Sequence, residues 1–137
     1  MLKPERKILV VDDDPVTQRL LLKWLKVGGY EVIAALDGKT GVQAAVAKVP
    51  DLILLDILMP DIDGTAVARQ LIKNSRTKDI PIVFMTVMIK VKDDHGNKEI
   101  EVDGRKYRAF AKPLHNRKLL SEIRKLINRR LNQNSGN

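Results

Sequence analysis

The chain has 137 residues, 44% of them hydrophobic and none of them cysteine, with a formal net charge of +8. That length and apolar content suit one domain with its own core, and the missing thiols exclude disulfides, thiolate metal sites and cysteine nucleophiles. No run approaches the roughly 18 apolar residues of a membrane span. The four apolar residues before Asp12 are too few for a signal-peptide core, so a cytoplasmic location is expected.

Apolar strands and amphipathic helices alternate along the chain. KILVV (7–11) reads as a short buried strand that runs into Asp12, Asp13 and Asp14. Asp14 stands before Pro15, a natural first helical residue, and reads as a helix cap. Val16, Leu20, Leu21, Trp24 and Leu25 then recur at helical spacing until Gly28-Gly29 ends the helix. YEVIAAL (30–36) is a second strand, and Asp37-Gly38 turns into a helix over about residues 39–48, with Pro50 beyond it.

LILLD (52–56) is a wholly apolar run that closes on a carboxylate, followed by the loop PDIDG (60–64). Asp61 and Asp63 read as turn residues there, and Gly64 as a backbone requirement. Ala66, Val67, Leu71 and Ile72 mark a third helix, and IPIVFMT (80–86) a fourth strand. Residues 87–111 then break the helical rhythm. Ile89 and Val91 alternate with Lys90 and Lys92, and Ile100 and Val102 with Glu99, Glu101 and Asp103. Asp103-Gly104 is a strong tight-turn signal, so a β-hairpin or meander is expected, with Lys90 and Lys92 facing Glu99 and Glu101. A last helix over 115–131 carries the stripe Leu119, Leu120, Ile123, Leu126, Ile127 and Leu131, and NQNSGN (132–137) reads as a disordered polar tail.

Continuous apolar strands alternating with helices predict a doubly wound parallel sheet covered on both faces. Ligands of such sheets sit at the carboxyl ends of the strands. Asp12 and Asp13, Asp56 and Thr86 all fall at such ends, and Lys112 lies near the last one. Neither His95 nor His115 gains a role from its position; Trp24 and the leucine stripe are core. The charge is uneven: residues 1–70 sum to −1 and residues 71–137 to +9. Six Lys/Arg of the last helix (Arg117, Lys118, Arg124, Lys125, Arg129, Arg130) stand against Glu122 alone. A basic surface can attract an acidic partner, yet no helix-turn-helix signature accompanies it, so nucleic acid is not expected.

VVDDDP, LLDILMPDIDG, FMT and AKP, in that order, resemble the response-regulator receiver domain of two-component signalling. The resemblance covers about residues 5–131, taken as the domain. It implies a five-stranded parallel sheet in the flavodoxin-like order 2-1-3-4-5, with the fourth helix replaced here by a hairpin around 87–104. It implies that Asp56 accepts a phosphoryl group from a phosphohistidine of a sensor histidine kinase or phosphotransfer protein. Asp12, Asp13, Asp56 and the backbone carbonyl of Leu58 would form the Mg2+ site, Asp12 mainly through water. Thr86 and Lys112 would contact the phosphoryl oxygens. Such a protein is no enzyme beyond catalysing its own phosphorylation and dephosphorylation. An unknown, possibly acidic output protein and a monomer or weak dimer complete the expectation.

Val87, Ala109 and the segment from Thr86 to Lys112, which is longer than usual and looks β rather than α, depart from the family pattern. Val87 replaces the small residue after the threonine, which narrows donor access. Ala109 occupies the aromatic switch position, with Tyr107 and Phe110 expected on the wrong register. Leu58 and Met88 are apolar where the family often positions or obstructs water, which predicts a long-lived phosphorylated state. Two alternatives follow from the residues. One is a phosphorylation-independent interaction module. The other is a haloacid-dehalogenase-like phosphohydrolase, for which DDDPV would offer Asp12 as nucleophile and Asp14 as acid/base, leaving Asp56 unexplained.

Overall fold

The computed structural model describes residues 5–87 and 98–135. In chain order the elements are β1 (Arg6–Val11), α1 (Pro15–Val27), β2 (Tyr30–Ala35), α2 (Gly38–Lys48) and β3 (Leu52–Asp56). Then come α3 (Gly64–Lys73), β4 (Ile82–Thr86), β5 (Lys98–Val102), β6 (Arg105–Ala111) and α4 (Asn116–Ser135). One sheet runs β2-β1-β3-β4-β6-β5. The first five positions are parallel, the expected order with β6 as the fifth parallel strand. β5 adds an antiparallel edge.

Period-2 alternation divides the core. Leu9, Val11, Ile53, Leu55, Ile82 and Phe84 pack with Ala45 of α2 and Val67, Ala68 and Leu71 of α3. Ile8, Val10, Leu52, Leu54, Val83 and Met85 pack with Leu21 and Leu25 of α1 and Leu119, Ile123 and Ile127 of α4. Both faces of β1, β3 and β4 are therefore apolar, which is why these strands read as unbroken hydrophobic runs. Polar side chains are left to the strand ends.

Short carboxylates start three helices. Asp14 accepts from the Val16 N–H at 3.0 Å, as expected of a cap. Asp37 accepts from the Thr40 N–H at 2.8 Å and Asp63 from the Thr65 N–H at 2.7 Å. Asp63 is thus a cap as well as a loop residue. Asp61 reaches across the chain to the Gly38 and Lys39 N–H groups, both at 3.1 Å, and ties the β3–α3 loop to the start of α2. The sequence reading missed that tether. The last helix continues to Ser135, so the expected polar tail is helical over residues 132–135.

The hairpin differs from the expected one in its position. It comprises β5 and β6, so it spans 98–111 and uses the last parallel strand as its second arm. Val102 lies opposite Arg105 across a two-residue turn in which Asp103 and Gly104 have φ of +49° and +82°. Asp-Gly in that conformation matches the right-handed twist of paired strands. Glu99 faces Arg108 and Glu101 faces Lys106 across the hairpin. Lys90, Lys92, Met88 and His95 lie outside the described residues. Gly104 needs its positive φ, so Gly104→Ala should cost about 1 kcal/mol in urea unfolding while leaving α-helical circular dichroism intact.

Candidate functional site

Alternation also aims the polar strand ends. Asp12 follows the Ile8–Val10 row, Asp56 the Leu52–Leu54 row and Lys112 the Phe110 row, all on the α1/α4 side of the sheet. β1, β3 and β6 thus deliver two carboxylates and an ammonium to one carboxyl edge. One carboxylate oxygen from each of Asp12, Asp13 and Asp56 lies within 4.8 Å of the others. Asp12 is fully buried, Asp56 is 4% exposed and Asp13 is open to solvent.

Lys112 bridges the cluster. Its Nζ donates to Asp12 Oδ2 at 2.6 Å and stands 3.6 Å from Asp56 Oδ2. The other Asp12 oxygen accepts from the Asp14 N–H at 2.9 Å. Burial pulls the lysine's pKa down, but its hydrogen bond to Asp12 and the charges of Asp12 and Asp56 outweigh that and hold it above the ordinary value. Asp56 moves further. Burial, then the neighbouring Asp12 charge, pushes it from 3.8 to about 6, against the opposing pull of Lys112 and the Leu58 N–H. One added cation neutralises three carboxylates incompletely, so the cluster stores repulsion that a further positive charge would relieve.

The neighbouring strand end supplies Thr86, fully buried and in register with Ala111, its carbonyl accepting from the Lys112 N–H at 3.0 Å. Lys112 is joined to Pro113 by a cis peptide bond. Leu58 stands half exposed just past Asp56, and Val87 is 66% exposed just past Thr86. Gly64 starts α3 with its N–H on the Ile57 carbonyl at 2.8 Å; a Cβ there would run into the Asp56 carbonyl oxygen. Its backbone role is thereby explained. Asp14 and Asp63 cap helices, and His115 lends its carbonyl to the first turn of α4.

One sequence reading needs correction, and one buried residue had gone unread. Tyr107 is on the same face as Ala109, two residues away, and meets Phe84 edge-on with ring centroids 5.6 Å apart. Only Phe110 faces the other side. Gln18, which the sequence reading passed over, is buried, and its amide donates to the carbonyls of Val10, Asp12 and Ala35. The available signal was its place at i−3 and i−7 from Leu21 and Leu25, a polar residue on the inward stripe.

A profile of the response regulator receiver domain matches residues 8–124, and the chain belongs to that family of two-component signalling proteins. It is similar to the DNA-binding dual master transcriptional regulator RpaA of Synechocystis, 34% identical over 90% of this chain. The chain spans about half the length of that relative, 49%. Among solved structures it resembles the receiver domain of sensor histidine kinase PA1611 from Pseudomonas aeruginosa, described with a magnesium ion in its active-site cleft. The TM-score is 0.77 at 26% identity, covering 91% of this chain and 99% of that one. It also resembles a chain from the complex of histidine kinase ThkA with response regulator TrrA, with a TM-score of 0.73 at 30% identity, covering 88% and 97%. Among the described residues no helix is long and apolar enough to cross a membrane.

The raised Asp56 pKa has a definite consequence for stability. Between 3.8 and about 6 the folded state holds a proton that the unfolded state has lost, so stability falls as pH rises through that window. The shift corresponds to up to about 3 kcal/mol. In metal-free buffer at pH 7.5, Asp56→Asn should therefore be more stable than wild type by a few kcal/mol at most. The gap should close towards pH 4, as followed by urea unfolding across pH.

Proposed function

We propose that this receiver domain is a reversible phosphoacceptor in which Asp56 takes a phosphoryl group from a phosphohistidine. The observation that carries this reading is the three-carboxylate cluster with the Lys112 ammonium against two of its members. An Asp56 oxygen attacks phosphorus, the P–N bond breaks, and the departing imidazole takes up a proton. The transition state is loose, so the residues act by position and charge. Lys112 can swing from Asp56 to the incoming phosphoryl oxygens while keeping Asp12. Thr86 can donate its hydroxyl to another of those oxygens.

The donor set suits a hard divalent cation such as Mg2+, held by Asp13, Asp56 and the Leu58 carbonyl with Asp12 acting through water, which would supply positive charge for the phosphoryl oxygens. The protein does not turn over an external substrate; it catalyses only its own modification. Residues 5–131 form the receiver unit.

A protein donor fits the surroundings. Val16, Leu58 and Val87 are exposed apolar residues beyond the ends of β1, β3 and β4, around an acidic pocket. A sensor histidine kinase or phosphotransfer protein could bury them, with Val87 restricting approach. The output route is the hairpin and α4. β6 pairs with β4 at Thr86↔Ala111 and Phe84↔Ala109, so a pull at Thr86 passes into β6 without an aromatic at position 109. Arg108 of β6 is bound to Glu122 of α4 at 3.1 Å. The exposed Arg117, Lys118, Arg124, Lys125 and Arg129 of α4 suit an acidic output protein, with no nucleic acid required.

Val87 and Ala109 favour one other reading, an interaction module that works without phosphorylation. The dehalogenase-like reading lacks support: Asp12 is bound by Lys112 and the Asp14 N–H, and Asp14 caps α1.

Incubation with a phosphorylated kinase domain and Mg2+ should label wild type, leave Asp56→Asn unlabelled, and fail in chelator. Label retained in Asp56→Asn, or none in wild type, would overturn the reading. Leu58 cannot orient a hydrolytic water, so purified phosphoprotein should persist for minutes or longer. A lifetime of seconds in a radiolabel decay assay would contradict that.

A further inference from the structure

We infer that Gln18 is a positioning residue for the acidic pocket: by fixing the peptide between Asp12 and Asp13 it sets the pocket's affinity for a divalent cation. The inference rests on the phosphoacceptor reading of that pocket and names a determinant lying outside it.

Gln18, Leu21 and Leu25 are the buried residues of α1. The two leucines fill the core beneath β1 and β3. A third leucine at position 18 would extend that stripe, whereas an amide loses hydration on burial unless it is paired. Here the donor end is densely paired, while Oε1 is buried with no hydrogen-bond partner. Gln18 Nε2 lies 3.0 Å from the Val10 carbonyl, 3.1 Å from that of Asp12 and 2.9 Å from that of Ala35. Two N–H donors thus serve three acceptors, all at the carboxyl ends of β1 and β2.

Asp12 is consequently held from every side. Its N–H donates to the Ala35 carbonyl at 3.1 Å, its C=O accepts from Gln18, and its two carboxylate oxygens are taken by the Asp14 N–H and Lys112. The Asp12 carbonyl belongs to the peptide from which Asp13 departs. Fixing that plane fixes the direction of Asp13, whose carboxylate is open to solvent. Three carboxylates repel, and a loose turn would let them spread and relax. Gln18 opposes that relaxation, so the repulsion is kept in the metal-free protein and released when a cation binds. That is preorganisation of a cation site by a group that never touches the cation.

The test is Mg2+ affinity by calorimetry at pH 7.5, together with the Mg2+ dependence of phosphorylation by acetyl phosphate. Gln18→Met keeps the length and removes the donors. It should raise the Mg2+ Kd about tenfold, while the rate at saturating Mg2+ stays within about twofold of wild type. Ile123→Val, a core change on α4, should lower stability without moving the Kd. Gln18→Asn, whose amide stops one methylene short, should raise the Kd in smaller measure and serves if the methionine variant does not fold. A Gln18 variant that loses stability yet binds Mg2+ as wild type does overturns the inference and leaves the phosphoacceptor reading standing. Wild type that binds no Mg2+ overturns both.

Discussion

The structure depends on how like charges are kept together at one edge of an otherwise apolar sheet. β1 and β3 are buried on both faces, so their polar residues can stand only at the ends. Asp12, Asp13 and Asp56 meet there with three oxygens inside 4.8 Å, and Lys112 closes the cluster from β6. Without the lysine the carboxylates would repel outward or take up protons. With it, the group is held but not neutralised, as the rise of Asp56 to about 6 records. A further positive charge in that cluster would relieve the remaining repulsion.

The scaffold around the cluster consists mostly of backbone. Asp14 and Asp63 start the helices that follow β1 and the β3–α3 loop, and Asp61 anchors that loop to α2. Gly64 allows α3 to begin against the Asp56 carbonyl. Gln18 joins the ends of β1 and β2. Thr86 ends β4 in register with Ala111 of β6, and Lys112 follows directly after that strand. β6 then carries β5 on its far side as an antiparallel edge strand. That end of the sheet bears the charges of Lys106 and Arg108, the latter paired with Glu122 of α4.

Most of this was legible in the sequence because its signals are local. Apolar runs ending in Asp12 and Asp56 gave the strands and the site edge, and Asp14-Pro15 gave a helix start. The misses came where long-range contacts decide. Gln18 went unread because a polar residue on a helix says nothing of the carbonyls above it. Asp61 looked like a turn residue because its partners lie 22 and 23 positions away. The hairpin was detected by its alternation and by Asp103-Gly104, and β6 serves in it both as hairpin arm and as parallel strand. Tyr107 was assigned to the wrong face, although counting by two from Ala109 puts it on the same one.

The central claim is that the carboxylate cluster at the sheet edge takes a divalent cation and a phosphoryl group together. Fluorine NMR with beryllofluoride, a phosphoryl mimic, tests it most directly. The account predicts a bound resonance that appears in wild type only when Mg2+ is present and is absent in Asp56→Asn. A bound resonance that ignores Mg2+ or survives in Asp56→Asn, or none in wild type at saturating Mg2+, would contradict it.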